Sequence, residues 1–202
     1  SNFRFNCTTY EGNDVVKISI EKLIQFADGI QHLKFFLKEF GFHTLPTDWY
    51  AIILNGEPGT EFLSHTHRFI RDRDDLFLVT RKNATDPDPD AFSYFSEEKP
   101  ASFPEDKWET VVDSSLITLP LELRTWQNGD RFIPFGMQGH KNVSDILNEM
   151  KLPSYKKEKA AVITSGNEIV WVPGYRIADK FRVNENTALV IRLKFNPEKY
   201  GA

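Results

Sequence analysis

Apolar residues are spaced in two different periods along this chain. Val16, Ile18 and Ile20 alternate with polar residues, as in a half-buried strand. Beyond Asp28-Gly29, the positions Ile30, Leu33, Leu37 and Phe40 keep helical spacing, and Gly41 stops that helix. Thr47 or Asp48 caps a second short helix through Tyr50, Ile53 and Leu54, closed by Asn55-Gly56 and Pro58-Gly59. Segments 62–64, 67–70 and 76–80 read as short strands, and the charged run 71–75 turns between two of them.

Residues 83–90 hold alternating aspartates and prolines without a core-forming side chain, and a second Pro-containing stretch occupies 99–104. Strand character resumes near 111–121. The run 123–141 then packs Gly129, Gly136, Gly139 and Pro134 among aromatics and cations, which predicts tight turns. Val143, Ile146, Leu147 and Met150 mark a helix that Pro153 ends. Segments 161–164 and 169–172 flank Ser165-Gly166-Asn167, a hairpin turn, and 188–193 supply a final strand. There is no internal repeat. The expected fold class is α+β: a small helical and strand module at 1–82, a linker at 83–110, and a mixed β/α C-terminal domain at 111–202.

Composition adds limits. With 40% hydrophobic and 27% charged residues, the 202-residue chain is long enough for one substantial or two small domains. No apolar run approaches the ~20 residues that cross a bilayer, and no signal-peptide pattern opens the chain, which favours the cytoplasm. Cys7 is the single cysteine, so neither a disulfide framework nor a thiolate cage is available. The chain opens without Met, and Ser1-Asn2 is read as a cloning remnant on an excised fragment.

The net charge of −4 hides an asymmetry. Residues 121–202 hold 13 Lys and Arg against 9 Asp and Glu, a net +4 that leaves −8 for the first 120 residues. The basic half carries the glycine run, an arrangement suited to presenting amides and cations to a polyanion. Alternative chemistries are weaker. His65 and His67 sit at strand spacing for a shared metal but lack a third ligand, so a structural pair is expected. Asp72, Asp74 and Asp75 are interleaved with arginines, which favours a neutralised turn over a catalytic carboxylate pair. Neither Gly-x-x-x-x-Gly-Lys-Ser/Thr nor Gly-x-Gly-x-x-Gly occurs. Trp126 and Trp171 could stack bases, but their apolar neighbours favour the core.

Arg124, Trp126, Gly129, Asp130, Arg131, Pro134, Gly136, Met137, Gly139, Lys141, Val143, Ser144 and Asp145 keep an order and spacing that resembles the C-terminal domain of bacterial tRNA(Ile)-lysidine synthetases. The resemblance runs on through 169–177 to Phe181, Arg182, Val183 and Thr187, covering about 119–193. A looser similarity to the preceding region of the family involves 50–53, Gly59, Phe62, Ser64, His67, Arg73 and Asp74. His140 stands where a second lysine is common, and Ala178 and Lys180 depart from the family's usual Arg-Ile-Asp-x-Arg stretch.

The resemblance implies an ATP-dependent ligase that joins lysine to the wobble cytidine of a minor isoleucine tRNA. It also implies that this part holds the tRNA acceptor side. The family's Ser-Gly-Gly-x-Asp-Ser loop is missing, so catalytic residues, cofactor and metal are expected to be none here, with ATP belonging to the N-terminal catalytic domain. Expected partners are tRNA and that domain, with no membrane and with a homodimer left open. Arg124, Arg131, Lys141, Arg176 and Arg182 fall on motif positions as candidate tRNA contacts; Lys156 and Lys157 are added on charge alone. The alternative is an architectural module, since a related domain type occurs in the phenylalanyl-tRNA synthetase β subunit. Phe35, Phe36, Phe40 and Trp49 would then form its docking surface.

Overall fold

The computed structural model describes residues 2–11, 14–81 and 89–200. The chain divides into two compact units, Ser1–Ala84 and Thr85–Ala202. No helix among the described residues is long and apolar enough to cross a membrane.

The first unit begins with helix α1 (Asn2–Cys7) and strands β1 (Thr8–Glu11) and β2 (Val15–Ser19). Helices α2 (Ile20–Gln25), α3 (Gly29–Lys38) and α4 (Trp49–Asn55) follow, then β3 (Glu61–Leu63), β4 (His67–Asp72) and β5 (Asp75–Thr80). The strands form one antiparallel sheet in the order β1-β2-β5-β4-β3. Val16 and Ile18 point inward from β2 at the period-two spacing the sequence predicts. Ser19 ends that strand and caps α2, its Oγ accepting from the Lys22 amide at 3.3 Å. Leu33, Phe36 and Leu37 form the buried stripe of α3 and join Phe3, Leu23, Trp49, Ile53 and Phe69 in the core.

The charged run 71–75 does turn, but only Arg73 and Asp74 make the loop. Asp72 pairs with Asp75 across the β4–β5 hairpin, and Arg73 takes a φ of 51°. The surface expected from Phe35, Phe36, Phe40 and Trp49 is corrected. Phe36 and Trp49 are core residues, Phe40 is half-buried, and Phe35 alone of the four is exposed. The apolar stripe expected to dock a partner is already spent on the unit's own core.

The second unit contains β6 (Phe92–Glu98), β7 (Glu109–Asp113), β8 (Leu121–Thr125), β9 (Arg131–Phe132) and β10 (Lys141–Asn142). Helices α5 (Val143–Glu149) and α6 (Ser154–Lys157) lead to β11 (Ala161–Ser165), β12 (Glu168–Trp171), β13 (Leu189–Phe195) and α7 (Pro197–Tyr200). The sheets run β6-β13-β7 and β12-β11-β8, with a β9–β10 ribbon between their segments in sequence. Ser165 faces Glu168, so the predicted hairpin closes on Gly166-Asn167, with Gly166 at φ 57° as primed turns require. Every residue of β11 is buried, and Val143, Ile146 and Leu147 of α5 pack onto the same core as Val162, Ile163 and Trp171.

The expected linker at 83–110 is also corrected. Residues 82–88 lie outside the described ones, but 92–98 form β6 and pair along their whole length with β13. Only a strand about a hundred residues further on satisfies those backbone groups, so no local signal announces them.

Candidate nucleic-acid interface

The glycine run is knitted to the segment after β12 by backbone hydrogen bonds. The amide of Phe135 donates to the Ile177 carbonyl at 2.9 Å, and the amide of Asp179 donates to Ile133 at 2.8 Å. Ala178 donates to Val170 at 2.8 Å, anchoring both segments to the core strand β12. The two stretches of motif, about forty residues apart in sequence, thus become one surface.

Arg124 leaves β8 half-buried and grips Asp130 with both terminal nitrogens, at 2.7 and 2.9 Å. Asp130 also accepts from the Gln127 amide at 2.7 Å, which closes the turn between them. Burial alone would raise the Asp130 carboxyl; the Arg124 and Gln127 hydrogen bonds and the guanidinium charge outweigh it and hold the group below its ordinary range. Lys141 pairs with Glu149 of α5 and lies 5.9 Å from the centre of the Tyr175 ring. Its ammonium is held above the usual lysine range, first by the Glu149 hydrogen bond. Both cations therefore tie the fold together.

Arg131 and Lys141 occupy opposite faces of the ribbon. Lys141 stands across from Phe132, which is buried, whereas Arg131 stands across from Asn142 and is exposed. Arg131 borders a cavity of about 390 Å³ with His140, Asp179 and Lys180. Asp179 holds Arg182 at 3.0 and 3.1 Å and accepts from the Gly136 amide at 3.2 Å. Arg182 in turn borders a groove of about 340 Å³ that it shares with Arg176, Phe103, Phe135 and Tyr175. Arg176 donates to the Phe135 carbonyl at 3.2 Å and lies 5.8 Å from the Tyr175 ring centre.

Lys156 borders a different, largely apolar cavity of about 500 Å³, beside Trp108, Met150 and Phe195. Lys157 donates to Asn148 at 2.7 Å, and its carbonyl accepts from the Trp126 indole. The cations thus sort into Arg131, Arg176 and Arg182 bordering two hollows, Arg124 and Lys141 in ion pairs that brace the turns, and Lys156 and Lys157 on α6. Trp171 is fully buried, and Trp126 packs on the same core while its indole satisfies α6. His67 uses its ring nitrogens on Thr66 at 2.8 Å and Thr80 at 3.4 Å.

Sequence reasoning passed over Phe103, Phe135 and Tyr175. The signal for Phe135 was its place between Pro134 and Gly136, where the Met137 amide closes a turn on the Pro134 carbonyl at 2.9 Å. Phe103 gave none, lying in the stretch read as linker.

The family model described as "TilS substrate C-terminal domain" matches residues 121–194, and "TilS substrate binding domain" matches residues 11–82. The tRNA(Ile)-lysidine synthase of Parabacteroides distasonis is 36% identical over 193 residues, 89% of this chain and 44% of its own length. That of Bacteroides thetaiotaomicron is 34% identical over 162 residues, 78% of this chain and 38% of its own. The chain belongs to the tRNA(Ile)-lysidine synthase family. It spans about two fifths of the length of those relatives. A solved structure titled "Crystal structure of TILS C-terminal domain" is 28% identical, covering 55% of this chain and 87% of its own at a TM-score of 0.45. Within this chain the two matched segments fall in separate units. β6 and β7 lie between them, yet both pair with β13 of the C-terminal match.

Proposed function

We propose that this chain is the tRNA-holding part of a tRNA(Ile)-lysidine synthase. In this reading the second unit grips the acceptor side of a minor isoleucine tRNA, while an N-terminal catalytic domain uses ATP to join lysine to the wobble cytidine at the other end. The chain itself supplies no catalytic residue and no cofactor site, and the whole protein works in the cytoplasm.

The observation that carries this reading is the placement of Arg131, Arg176 and Arg182 on two hollows whose linings are linked by the Asp179–Arg182 ion pair. Arginine presents a planar, permanently charged fork to phosphate. A-form RNA hides its bases in a deep, narrow groove, so a protein reaches it through phosphates, 2′-hydroxyls and accessible edges. A tRNA also separates its two ends by more than one small pocket can inspect, which calls for a second rigid module. Linkage to a catalytic domain would then raise a modest affinity through effective concentration. Arg124 and Lys141 enter this function as supports: they fix the turns that carry the exposed arginines.

Titration with the cognate minor isoleucine tRNA and with initiator methionine tRNA, each at two salt concentrations, tests the reading. Tighter binding of the isoleucine species, weakening steeply with salt, is expected. Undetectable binding of both at low salt would overturn it.

A further inference from the structure

The groove beside Phe135 has a composition that gripping a stem does not require. It combines exposed aromatic faces with guanidinium groups fixed by their own hydrogen bonds, in a hollow of about 340 Å³. That volume sits at the low end of small-molecule pockets, roughly 300–1,000 Å³, and suits one nucleotide rather than a helix. Phe135 is 48% exposed and Phe103 57%, although large aromatics are normally the first residues a fold hides.

We propose that this groove seats an unpaired RNA nucleotide adjoining the gripped stem, an inference that rests on the tRNA-holding role above. The base lies against Phe135 and Phe103, and its phosphate meets Arg176 and Arg182. Both arginines are pre-set. Arg176 is oriented by the Phe135 carbonyl and the Tyr175 ring, and Arg182 by Asp179, which also holds the Gly136 amide. The turn that carries the stacking ring thus also fixes the phosphate grip.

Three carboxylates line the same groove, Glu105, Asp106 and Glu109. Glu109 is spent on Arg192 and Lys194 of β13, and Asp106 accepts from the Trp108 amide at 2.9 Å. Glu105 is engaged by no other side chain among the described residues and lies at the groove. A carboxylate there accepts from an exocyclic amino group, which favours cytosine or adenine over uracil.

Affinities of the 202-residue chain are compared for a blunt RNA hairpin and for the same hairpin with a short single-stranded 3′ extension ending in C, A or U. The extension should tighten binding about 5- to 20-fold, more for C and A than for U, in line with one base stacked on an aromatic face. Phe135→Ala should erase the difference between extended and blunt hairpins while leaving the circular dichroism unchanged, and Phe103→Ala should reduce that difference. Equal binding of blunt and extended hairpins, or a gain that survives Phe135→Ala, overturns the nucleotide seat and leaves the stem grip standing. Failure of every hairpin to bind removes the stem grip and, with it, the seat. Free CMP or AMP binding as tightly as the extended hairpin overturns the RNA assignment in favour of a mononucleotide site.

Discussion

Arg124 and Asp130, six positions apart, meet through paired hydrogen bonds, and the same carboxylate also holds the Gln127 amide. Removing the guanidinium would strand a carboxylate whose side chain is only 13% exposed. Arg124→Ala should therefore lower stability by roughly 2–3 kcal/mol, read as a fall in urea midpoint. Arg131→Ala removes an exposed side chain and should stay within about 0.5 kcal/mol of wild type. In RNA titrations, Arg131→Ala should flatten the slope of log affinity against log salt by about 1. A stable, RNA-defective Arg124→Ala would mean that this arginine contacts RNA directly.

Acid should loosen the second unit through Asp130 and Asp113. Asp113 is buried and accepts from Ser115 and Thr187; burial would raise its carboxyl, but those hydrogen bonds outweigh it and hold it below the ordinary range. A carboxyl depressed in the folded state contributes stability above its unfolded value, about 3.9, and loses it as pH falls through the folded value. Midpoints should be flat above about pH 5 and fall below about pH 4. Asp113→Asn should lower stability at neutral pH and shrink that acid dependence. An unchanged slope in the variant would show that Asp113 does not contribute.

Two glycines share a backbone angle but differ in surroundings. Gly136 and Gly174 both have φ 79°, yet a Cβ on Gly136 meets nothing within 4 Å, whereas one on Gly174 falls 2.9 Å from the Trp108 ring. Gly136→Ala should cost about 1 kcal/mol of backbone strain alone. Gly174→Ala should cost about 1–3 kcal/mol more, because a half-buried indole must shift. Thermal unfolding of the two variants measures the difference. Equal melting temperatures would mean that Trp108 yields freely.

Cys7 offers a probe confined to the first unit. It is the last residue of α1 and is buried in the core, and burial pushes its thiol above the ordinary range. Reaction with a disulfide reagent needs the thiolate and access to it. Labelling should therefore be slow in native buffer and accelerate with urea along the unfolding curve of the first unit. Labelling at the rate of a free thiol would mean that α1 does not stay packed.

Local patterns were legible where neighbours in sequence satisfy one another. The stripe of Val143, Ile146 and Leu147, the Gly166-Asn167 turn and the alternation of Val16 with Ile18 all survive into the fold. What sequence could not show was distribution among partners. Whether an arginine faces solvent or a carboxylate depends on side chains brought near by folding, as Arg124 with Asp130 and Lys141 with Glu149 demonstrate. The aromatic stretch 92–98 was hidden for the same reason, because the strand that pairs it lies at the other end of its unit.

That arrangement sets an order of events for synthesis. β13 sits at the centre of its sheet, flanked on both sides by segments made much earlier. While a ribosome is still making residues 189–195, the flanking strands have no partner between them. The most exposed moment in the life of this unit is therefore the interval before its last strand emerges, when two strands, one of them rich in aromatics, await the same mate.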